Sequence, residues 1–407
     1  MKFDLIVVGG GAAGFFAAIQ AAEMKPGIKI IILEKTNKIL TKVKVSGGGR
    51  CNVTHYNFNP FAFARHYPRG EKALKNLFKI YNAEHVVKWF TSKGVDLKAE
   101  EDGRMFPITD SSETIIECFM TLAQRMGIKI KTACNVVRID QELHGFTIRA
   151  NDNSIYDGHK VLIATGGSQS RNSYDWISDL KHIIQNPIPS LFTFNDAETK
   201  FKELMGIAVP SAAVRIEGTK FMQRGPVLIT HWGLSGPAVI KLSAWAAEYL
   251  HKVNYNFTAL VGWTGLHEEE VRKELLEYKT VKAKQKVCSD ALFGLPQRLC
   301  RQLCSLAEVE ETKIWSELSM KSINKLVEVL IRCPFHIKGK TTFKEEFVTC
   351  GGVELNDVNL ASMESKKIKN LYFAGEVLNI DGETGGFNFQ AAWTTAYVAA
   401  TAIVLED

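Results

Sequence analysis

A chain of 407 residues is too long for one ordinary domain, and two or three are expected. Hydrophobic side chains make up 46% of it, enough for packed cores and too many for a disordered scaffold. The formal net charge of +6 is modest for this length, so any electrostatic role rests on how the charge is distributed.

The chain opens with the apolar run Leu5–Val8, long enough for a buried parallel strand, followed by glycines at Gly9, Gly11 and Gly14. An alanine-rich helix is predicted over Ala12–Ala22, broken by Pro26 and Gly27, and a second strand over Ile28–Leu33 ends on Glu34. In a Gly-x-Gly-x-x-Gly unit the first glycine makes the tight turn and the second admits a pyrophosphate. The third lets helix pack on strand. The helix N-terminus then faces phosphate with free N–H groups. Glu34 stands where a carboxylate accepts a ribose hydroxyl, which favours a free 2′-hydroxyl over a 2′-phosphate. A dinucleotide site is therefore expected here. Asp4 within the apolar region, and glycines where cleavage would fall, argue against a signal peptide, and a cytoplasmic location is expected.

The next segment contains Ser46, Gly47, Gly48 and Gly49, which cannot sit inside a stable helix or strand, so a loop is predicted. Its backbone can lie flat against a planar ligand, with Arg50 clamping phosphate and Asn52 bonding a ring edge; a flexible surface loop is the alternative. Cys51 is the cysteine placed to donate a proton at a flavin face, or simply to pack. Between Lys42 and Lys79 stand Lys42, Lys44, Arg50, Arg65, Arg69, Lys72, Lys75 and Lys79. Glu71 is the one acid among them, for a net of +7. Such a patch can hold cofactor phosphates, a phosphorylated substrate or nucleic acid, or be a solvated surface.

An amphipathic helix is predicted over Phe78–Phe90, then a loop at Glu101–Pro107 in which Arg104 faces a ligand or makes a surface salt bridge. A capped helix follows over Ser112–Met126. Strands are predicted at Ile128–Ile139, Phe146–Ala150, Ser154–Tyr156 and Lys160–Ile163. The last runs into Ala164-Thr165-Gly166-Gly167, small residues that can turn beneath the adenosine half of a dinucleotide. From about Pro187 the texture changes. Ala212–Ile216 alternates as antiparallel sheet, and His231, Trp232 and Ser235 lie in a loop before a helix. His231 can touch substrate or be a structural histidine. Leu266–Leu330 is charged and helical, and Phe335–Lys338 is strand-like again.

The last segment returns to the first domain. Phe347–Val353 carries glycines where chain and ligand would meet, and a strand at Leu371–Ala374 ends on Gly375-Glu376. A glycine-rich loop, Asp381–Asn388, leads into a helix predicted over Phe389–Val404, whose N-terminus would favour negative charge on a reduced flavin ring. Within it Ala391–Leu405, interrupted by Thr394, Thr395 and Thr401, is too short and polar to span a bilayer, so no membrane role is expected. The eight cysteines form no CxxC pair, and Cys300 and Cys304 lack a second pair for zinc. Reduced, mostly buried thiols and no metal are expected.

Six motifs together resemble the BaiN/RdsA (YhiN-like) family of FAD-dependent oxidoreductases: Gly9–Gly14, Ser46–Asn52, Glu101–Pro107, Thr230–Pro237, Thr349–Val353 and Leu371–Gln390. They span nearly the whole chain in order. The resemblance implies an α/β fold. It has a Rossmann-like FAD-binding domain of the two-dinucleotide-binding type (1–188 and 345–407), an inserted β-rich domain (189–264 and 333–344) and a small helical domain (265–332). It implies FAD, with NAD(P)H reducing a conjugated carbon–carbon double bond, either in a steroid-like enone or in uridine of ribosomal RNA, the RNA being slightly favoured by the basic window. No second glycine fingerprint follows a strand, so the nicotinamide is expected to visit transiently. The expected cofactor contacts are Gly9, Gly11, Ala12, Ala13, Gly14, Glu34, Lys35, Ser46, Gly47, Gly48, Arg50, Cys51 and Asn52. Later in the chain they continue with Val136, Ala164, Thr165, Gly166, Gly375, Glu376, Asp381, Gly385, Gly386, Phe387, Asn388 and Gln390. Cys51 and then His231 are the candidate proton donors. An aspartate is expected where Asn379 stands, so a carboxylate role there is in doubt. The rival readings are an amine or aminoacetone oxidase and a non-catalytic flavoprotein; the oligomeric state is left open.

Overall fold

The computed structural model describes residues 2–168, 170–198, 200–289, 291–341 and 348–405. The chain forms two compact units, Met1–Ser190 with Lys344–Asp407, and Leu191–Phe343.

The first unit is built on a sheet whose heart is parallel. Its strands run in the order Lys129–Lys131, β2 (Ile30–Leu33), β1 (Lys2–Val8), Ile155–Ile163 and Leu371–Phe373. Two short antiparallel strands, Glu364–Ser365 and Val358–Asn359, extend the edge. Leu5–Val8 of β1 and all of β2 are continuous apolar runs because both faces of a parallel sheet are covered. The cover on one face is helix α1 (Ala12–Met24), buried almost throughout, with the C-terminal helix Phe387–Leu405 packed on it. Helices apolar on every side suit such a place. Trp393 anchors them, its ring 5.3 Å from Phe16 and 5.7 Å from Phe119, its indole N–H donating to the Val53 carbonyl at 2.9 Å. The threonines that interrupt this helix are satisfied internally. Thr394 donates to the Tyr81 carbonyl, Thr395 to Ala391 and Thr401 to Tyr397.

Register is what builds the site. Val8 stands opposite both Leu33 and Ile163, and Ile163 opposite Phe373. Four strands therefore end level, and the residues after them (Gly9, Glu34, Ala164 and Ala374) leave from one edge. Ligands in open α/β sheets bind outside such carboxyl ends.

Local differences from the sequence reading have identifiable causes. The helix expected over Phe78–Phe90 is two helices, Glu71–Ile80 and Ala83–Ser92. Asn82 caps the second by accepting from the His85 amide. The strand expected over Ile128–Ile139 is split into Lys129–Lys131 and Val136–Glu142, with Ala133 between them at φ +52°. The two strands expected at Ser154–Tyr156 and Lys160–Ile163 are one, Ile155–Ile163. Its beginning pairs antiparallel with Gly145–Ala150 and its end parallel with Leu371–Phe373. Ser112 does not cap its helix, because its hydroxyl donates to the Lys44 carbonyl instead. Phe347 lies outside the described residues; the strand there is Val348–Val353, antiparallel to Ile184–Ser190.

In the second unit six antiparallel strands close a barrel. The order is Thr193–Asp196, Gly233–Ser235, Met222–Thr230, Ala208–Ile216, Asn256–Gly262 and Cys333–Thr341, the last pairing with the first. The helices Glu268–Val281, Gln297–Leu306 and Met320–Ile331 share one apolar core with it, in which Val261 and Phe335 join Leu299, Leu303 and Leu326. The helical stretch and the barrel thus form a single unit. None of the eight cysteines forms a disulfide, and all but Cys118 are buried.

Candidate functional site

The three fingerprint glycines have separate tasks. Gly9, at φ +119°, passes so close to the neighbouring strand that a β-carbon would lie 2.3 Å from the Ala164 carbonyl oxygen. On Gly14 a β-carbon would lie 2.0 Å from the Gly9 oxygen, so α1 can seat on β1 only without one. Gly11 faces open space, with nothing within 4 Å of where its β-carbon would be. It is the N-cap of α1, and no side chain caps that helix, so the first amides of Ala12 and Ala13 point into the space left open.

Glu34 is half-buried beside this turn. One carboxylate oxygen accepts from the Gly10 amide at 2.9 Å and the other from the Thr36 amide and hydroxyl, each at 2.9 Å. The carboxylate is fixed, with lone pairs left for a hydroxyl. Cys134 donates its amide to the Glu34 carbonyl at 2.8 Å, which brings the start of the Val136 strand alongside, while Lys35 is exposed. The Ala164 amide bonds Val8 at 2.8 Å, Thr165 is exposed and Gly166 turns at φ +72°.

Where a loop was expected, a helix Thr41–Gly49 is broken at Ser46, Gly47 and Gly48, whose backbone is not helical, and Gly47, Gly48 and Gly49 follow one another at φ +59°, +69° and +84°. Three consecutive left-handed residues are open to glycine alone at little cost. The turn is closed by the Cys51 amide on the Ser46 carbonyl at 3.0 Å. Gly48 and Gly49 face open space, whereas a β-carbon on Gly47 would lie 2.9 Å from the Phe106 ring. Arg50 is turned toward Glu100 at 2.6 Å and Asp110 at 3.5 Å, its guanidinium 3.9 Å from the Phe106 ring centre. Cys51 is completely buried, and loss of water pushes its thiol up to about 12. Asn52 is buried with its Oδ1 unpartnered. Arg104 pairs with Asp102 and Glu100, a surface cluster.

The C-terminal loop meets this segment. Gly386, at φ +90°, lies against the Thr54 carbonyl, and Thr54 donates to Gln390 Oε1 at 2.6 Å. Asn388 folds back on its own loop, accepting from the Gly382 amide at 2.8 Å and donating to the Gly382 carbonyl at 3.0 Å. Asp381 is fully buried. Arg69 grips it with two N–H groups, one at 2.6 Å, and Ser190 donates to it at 2.7 Å. Burial raises that carboxyl, and the Arg69 charge works against the rise. The polar side chains of Asp381, Asn388 and Gln390 thus brace the loop. Glu376 accepts from Lys42 at 2.7 Å and from the Thr349 amide at 2.8 Å, and Thr349 Oγ1 is buried without a partner. Asn379 donates to Glu354 at 3.4 Å, its Oδ1 unpartnered. The helix begins at Phe387, two residues before the expected start.

Sequence reading missed a group on this loop. Phe387 packs against two histidine rings that also neighbour each other: His66, 4.3 Å away and nearly parallel, and His55, 4.8 Å away, with 6.2 Å between the two histidines. His66 Nδ1 lies 3.0 Å from a carboxylate oxygen of buried Glu383, and the Glu383 amide donates to the His66 carbonyl. About a third of the His66 side chain is exposed, so solvent reaches the ring. The available signal was the paired acids of the glycine loop, Asp381 and Glu383, facing a run with His66 and Arg69. His231 belongs to the second unit, exposed on the turn after Met222–Thr230 and set edge-on to Trp232 at 4.3 Å.

Uncapped helix amides, a fixed acid at the end of β2 and buried acceptors left open at Asn52 and Thr349 fit an adenine dinucleotide carrying a flavin. Buried polar atoms are otherwise nearly always paired. With this sheet and its edge, they define an oxidoreductase of the FAD-dependent flavoprotein class. The chain belongs to the HI0933-like family, whose Rossmann domain matches residues 3–402, as the resemblance to the BaiN/RdsA (YhiN-like) group implied. It is 27% identical to the ribosomal RNA dihydrouridine synthase of Escherichia coli K12, over 99% of this chain and 98% of that one. It is 26% identical to the 3-dehydro-bile acid delta(4,6)-reductase of Clostridium scindens, over 97% and 98%. Among solved structures, the 3-ketosteroid delta1-dehydrogenase of Sterolibacterium denitrificans shares the fold, with a TM-score of 0.54, 12% identity and full coverage of both chains. Among the described residues no helix is long and apolar enough to cross a membrane.

Proposed function

We propose that this protein reduces a carbon–carbon double bond conjugated to a carbonyl, using NAD(P)H, and that its substrate is uridine in ribosomal RNA. What supports the reading is the level strand edge, from which the turns carrying Gly11, Glu34 and Gly375 leave, in a chain whose relatives are named as a ribosomal RNA dihydrouridine synthase and a bile acid delta(4,6)-reductase. Uracil and a conjugated steroid ketone pose the same problem: hydride must reach the β-carbon and a proton the α-carbon. The balance is reduced nicotinamide plus one proton plus the unsaturated substrate, giving oxidised nicotinamide and the saturated product.

FAD, when bound, supplies the hydride relay between nicotinamide and substrate. The chain's own residues hold and orient it. The Ala12 and Ala13 amides and the approach over Gly11 take the pyrophosphate, Glu34 a ribose hydroxyl, and Asn52 and Thr349 polar groups further along. For the proton we assign His66, hydrogen-bonded by Glu383 and reached by solvent, ahead of Cys51, whose buried thiol is a weak acid. A cytoplasmic location follows from an RNA substrate and a nicotinamide donor.

Reduction of the purified yellow protein by NADH or NADPH without oxygen, then addition of ribosomal RNA fragments or a small enone, tests the reading directly. Reoxidation by RNA with formation of dihydrouridine is the expected result. Reoxidation by the enone alone would move the substrate to the small-molecule side, and flavin that no nicotinamide reduces would remove the reaction altogether.

A further inference from the structure

The +7 window of the sequence is half neutralised in the fold. Lys42 pairs with Glu376 and Lys44 with Glu113, both at 2.7 Å, Arg50 with Glu100 at 2.6 Å, and Arg69 with Asp381. The other four cations, Arg65, Lys72, Lys75 and Lys79, are exposed and make no ion pair among the described residues. Three of them lie on the helix Glu71–Ile80, whose buried face is Ala73, Leu74, Leu77 and Phe78. Their spacing of three and four residues sets Lys72, Lys75 and Lys79 in one outward stripe roughly 10 Å long. A solvated lysine face needs no aromatic ring among its charges, yet Phe61 is 47% exposed here. Lys75 Nζ lies 4.8 Å and Lys79 Nζ 5.3 Å from its ring centre.

Resting on the RNA reading above, we propose that this face, Phe61 with Arg65, Lys72, Lys75 and Lys79, is the platform on which single-stranded RNA docks. Four cations against one exposed acid, Glu71, leave a net positive track for a phosphate backbone, and an exposed ring offers a base a stacking surface that tolerates any sequence. The platform is tied to the candidate site by its own chain. Just ahead of the helix, Tyr67 donates to the Phe387 carbonyl at 2.6 Å, Arg69 holds Asp381, and a β-carbon on Gly70 would lie 2.8 Å from Ile380. A strand held by the lysines is therefore held within a few residues of His66.

The test is binding of a fluorescent single-stranded uridine-containing RNA to the flavin-loaded protein across a salt series, with no turnover required. Four phosphate contacts give a slope of log affinity against log salt near −3, and Lys72→Gln/Lys75→Gln/Lys79→Gln should flatten it by about 2. Phe61→Ala should weaken binding roughly fivefold to a hundredfold with little change of slope. Flavin content and NAD(P)H-dependent flavin reduction should match the parent in both variants. Unchanged affinity and slope in the triple variant would overturn the proposal. So would absence of RNA binding at low salt, or lysine-dependent binding to phosphatidylserine vesicles in its place. Lysine-dependent RNA binding without dihydrouridine formation would keep the platform and sink only the assigned reaction.

Discussion

Gly375 approaches Ala13 so closely that a β-carbon added to it would lie 2.8 Å from the Ala13 methyl. Through this contact the turn after the C-terminal strand of the unit packs on α1, the first helix of the chain. The fingerprint thus separates into glycines that serve packing and one that serves a ligand.

That separation is measurable. Gly14→Ala places a methyl 2.0 Å from the Gly9 carbonyl and should cost about 3 kcal/mol or more in urea unfolding, with loss of flavin following from loss of fold. Gly11→Val puts its β-carbon where no atom lies within 4 Å and is not at positive φ, so its cost should be about 1 kcal/mol. It should nevertheless purify colourless and take up no added FAD. A yellow Gly11→Val protein would remove the pyrophosphate from this helix end.

The Arg69–Asp381 pair is the second point of leverage. Truncating Arg69 to Met leaves a buried carboxylate unpaired and should destabilise the unit by about 3–5 kcal/mol. Replacing both, Arg69→Met with Asp381→Leu, should recover a large part of that loss, since no isolated charge remains. Chemical denaturation of the two variants checks the order. A double variant as unstable as the single one would mean that the pair's geometry, and not its charge, holds the loop.

The Rossmann half was legible because its signals are local. An apolar run, three glycines and a terminal acid lie within about 30 residues, and period and turn chemistry read them directly. The glycine loop at Gly47–Gly49 was legible for the same reason. What escaped reading joins residues far apart in the chain: His66 with Glu383, Arg69 with Asp381, Lys42 with Glu376. No single-sequence pattern carries such pairs, which is why a window counted as +7 keeps four cations outside any ion pair among the described residues, three of them on the helix Glu71–Ile80. The break at Tyr81 was missed because the apolar spacing of two successive amphipathic helices runs on through Asn82. The sharing of one core by barrel and helices depends on tertiary packing alone.

Stability should fall at both ends of the pH scale, for separate reasons. His182 is buried against Phe373, its Nε2 2.7 Å from the Ser365 hydroxyl, and burial lowers it to about 4. The unfolded chain takes up that proton near the ordinary 6.5, so it binds more protons than the folded one between these values. Stability should therefore drop as pH falls from 6.5 toward 4, by up to roughly 3 kcal/mol, and His182→Gln should flatten that limb. Cys51 acts at the other end. Its unfolded thiol ionises near 9 while the folded one keeps its proton to about 12, so stability declines as pH rises through that window. Alkylation by iodoacetamide at pH 8 should spare native Cys51 and modify it in urea. Rapid labelling of the native protein at Cys51 would show a thiol far more open than its surroundings allow.

The proton donor can be assigned by splitting the reaction in two. Hydride arrival from the nicotinamide needs no protein acid, whereas saturation of the substrate does. His66→Gln should accordingly leave anaerobic flavin reduction by NAD(P)H within about twofold of the parent. It should slow reoxidation by substrate on the order of a hundredfold, the usual worth of a placed general acid. Glu383→Gln keeps the ring in place but removes the charge that orients it at 3.0 Å, so a smaller loss in the same half-reaction is expected. Cys51→Ala, altering a thiol with no exposed surface, should change neither half by more than a few-fold. Equal slowing of both halves in His66→Gln would mark a fault in cofactor seating, and a slow Cys51→Ala with an intact His66→Gln would return the proton to the thiol. Comparing the two half-reactions in these three variants therefore separates the acid from the scaffold that holds it, independently of which conjugated substrate is supplied.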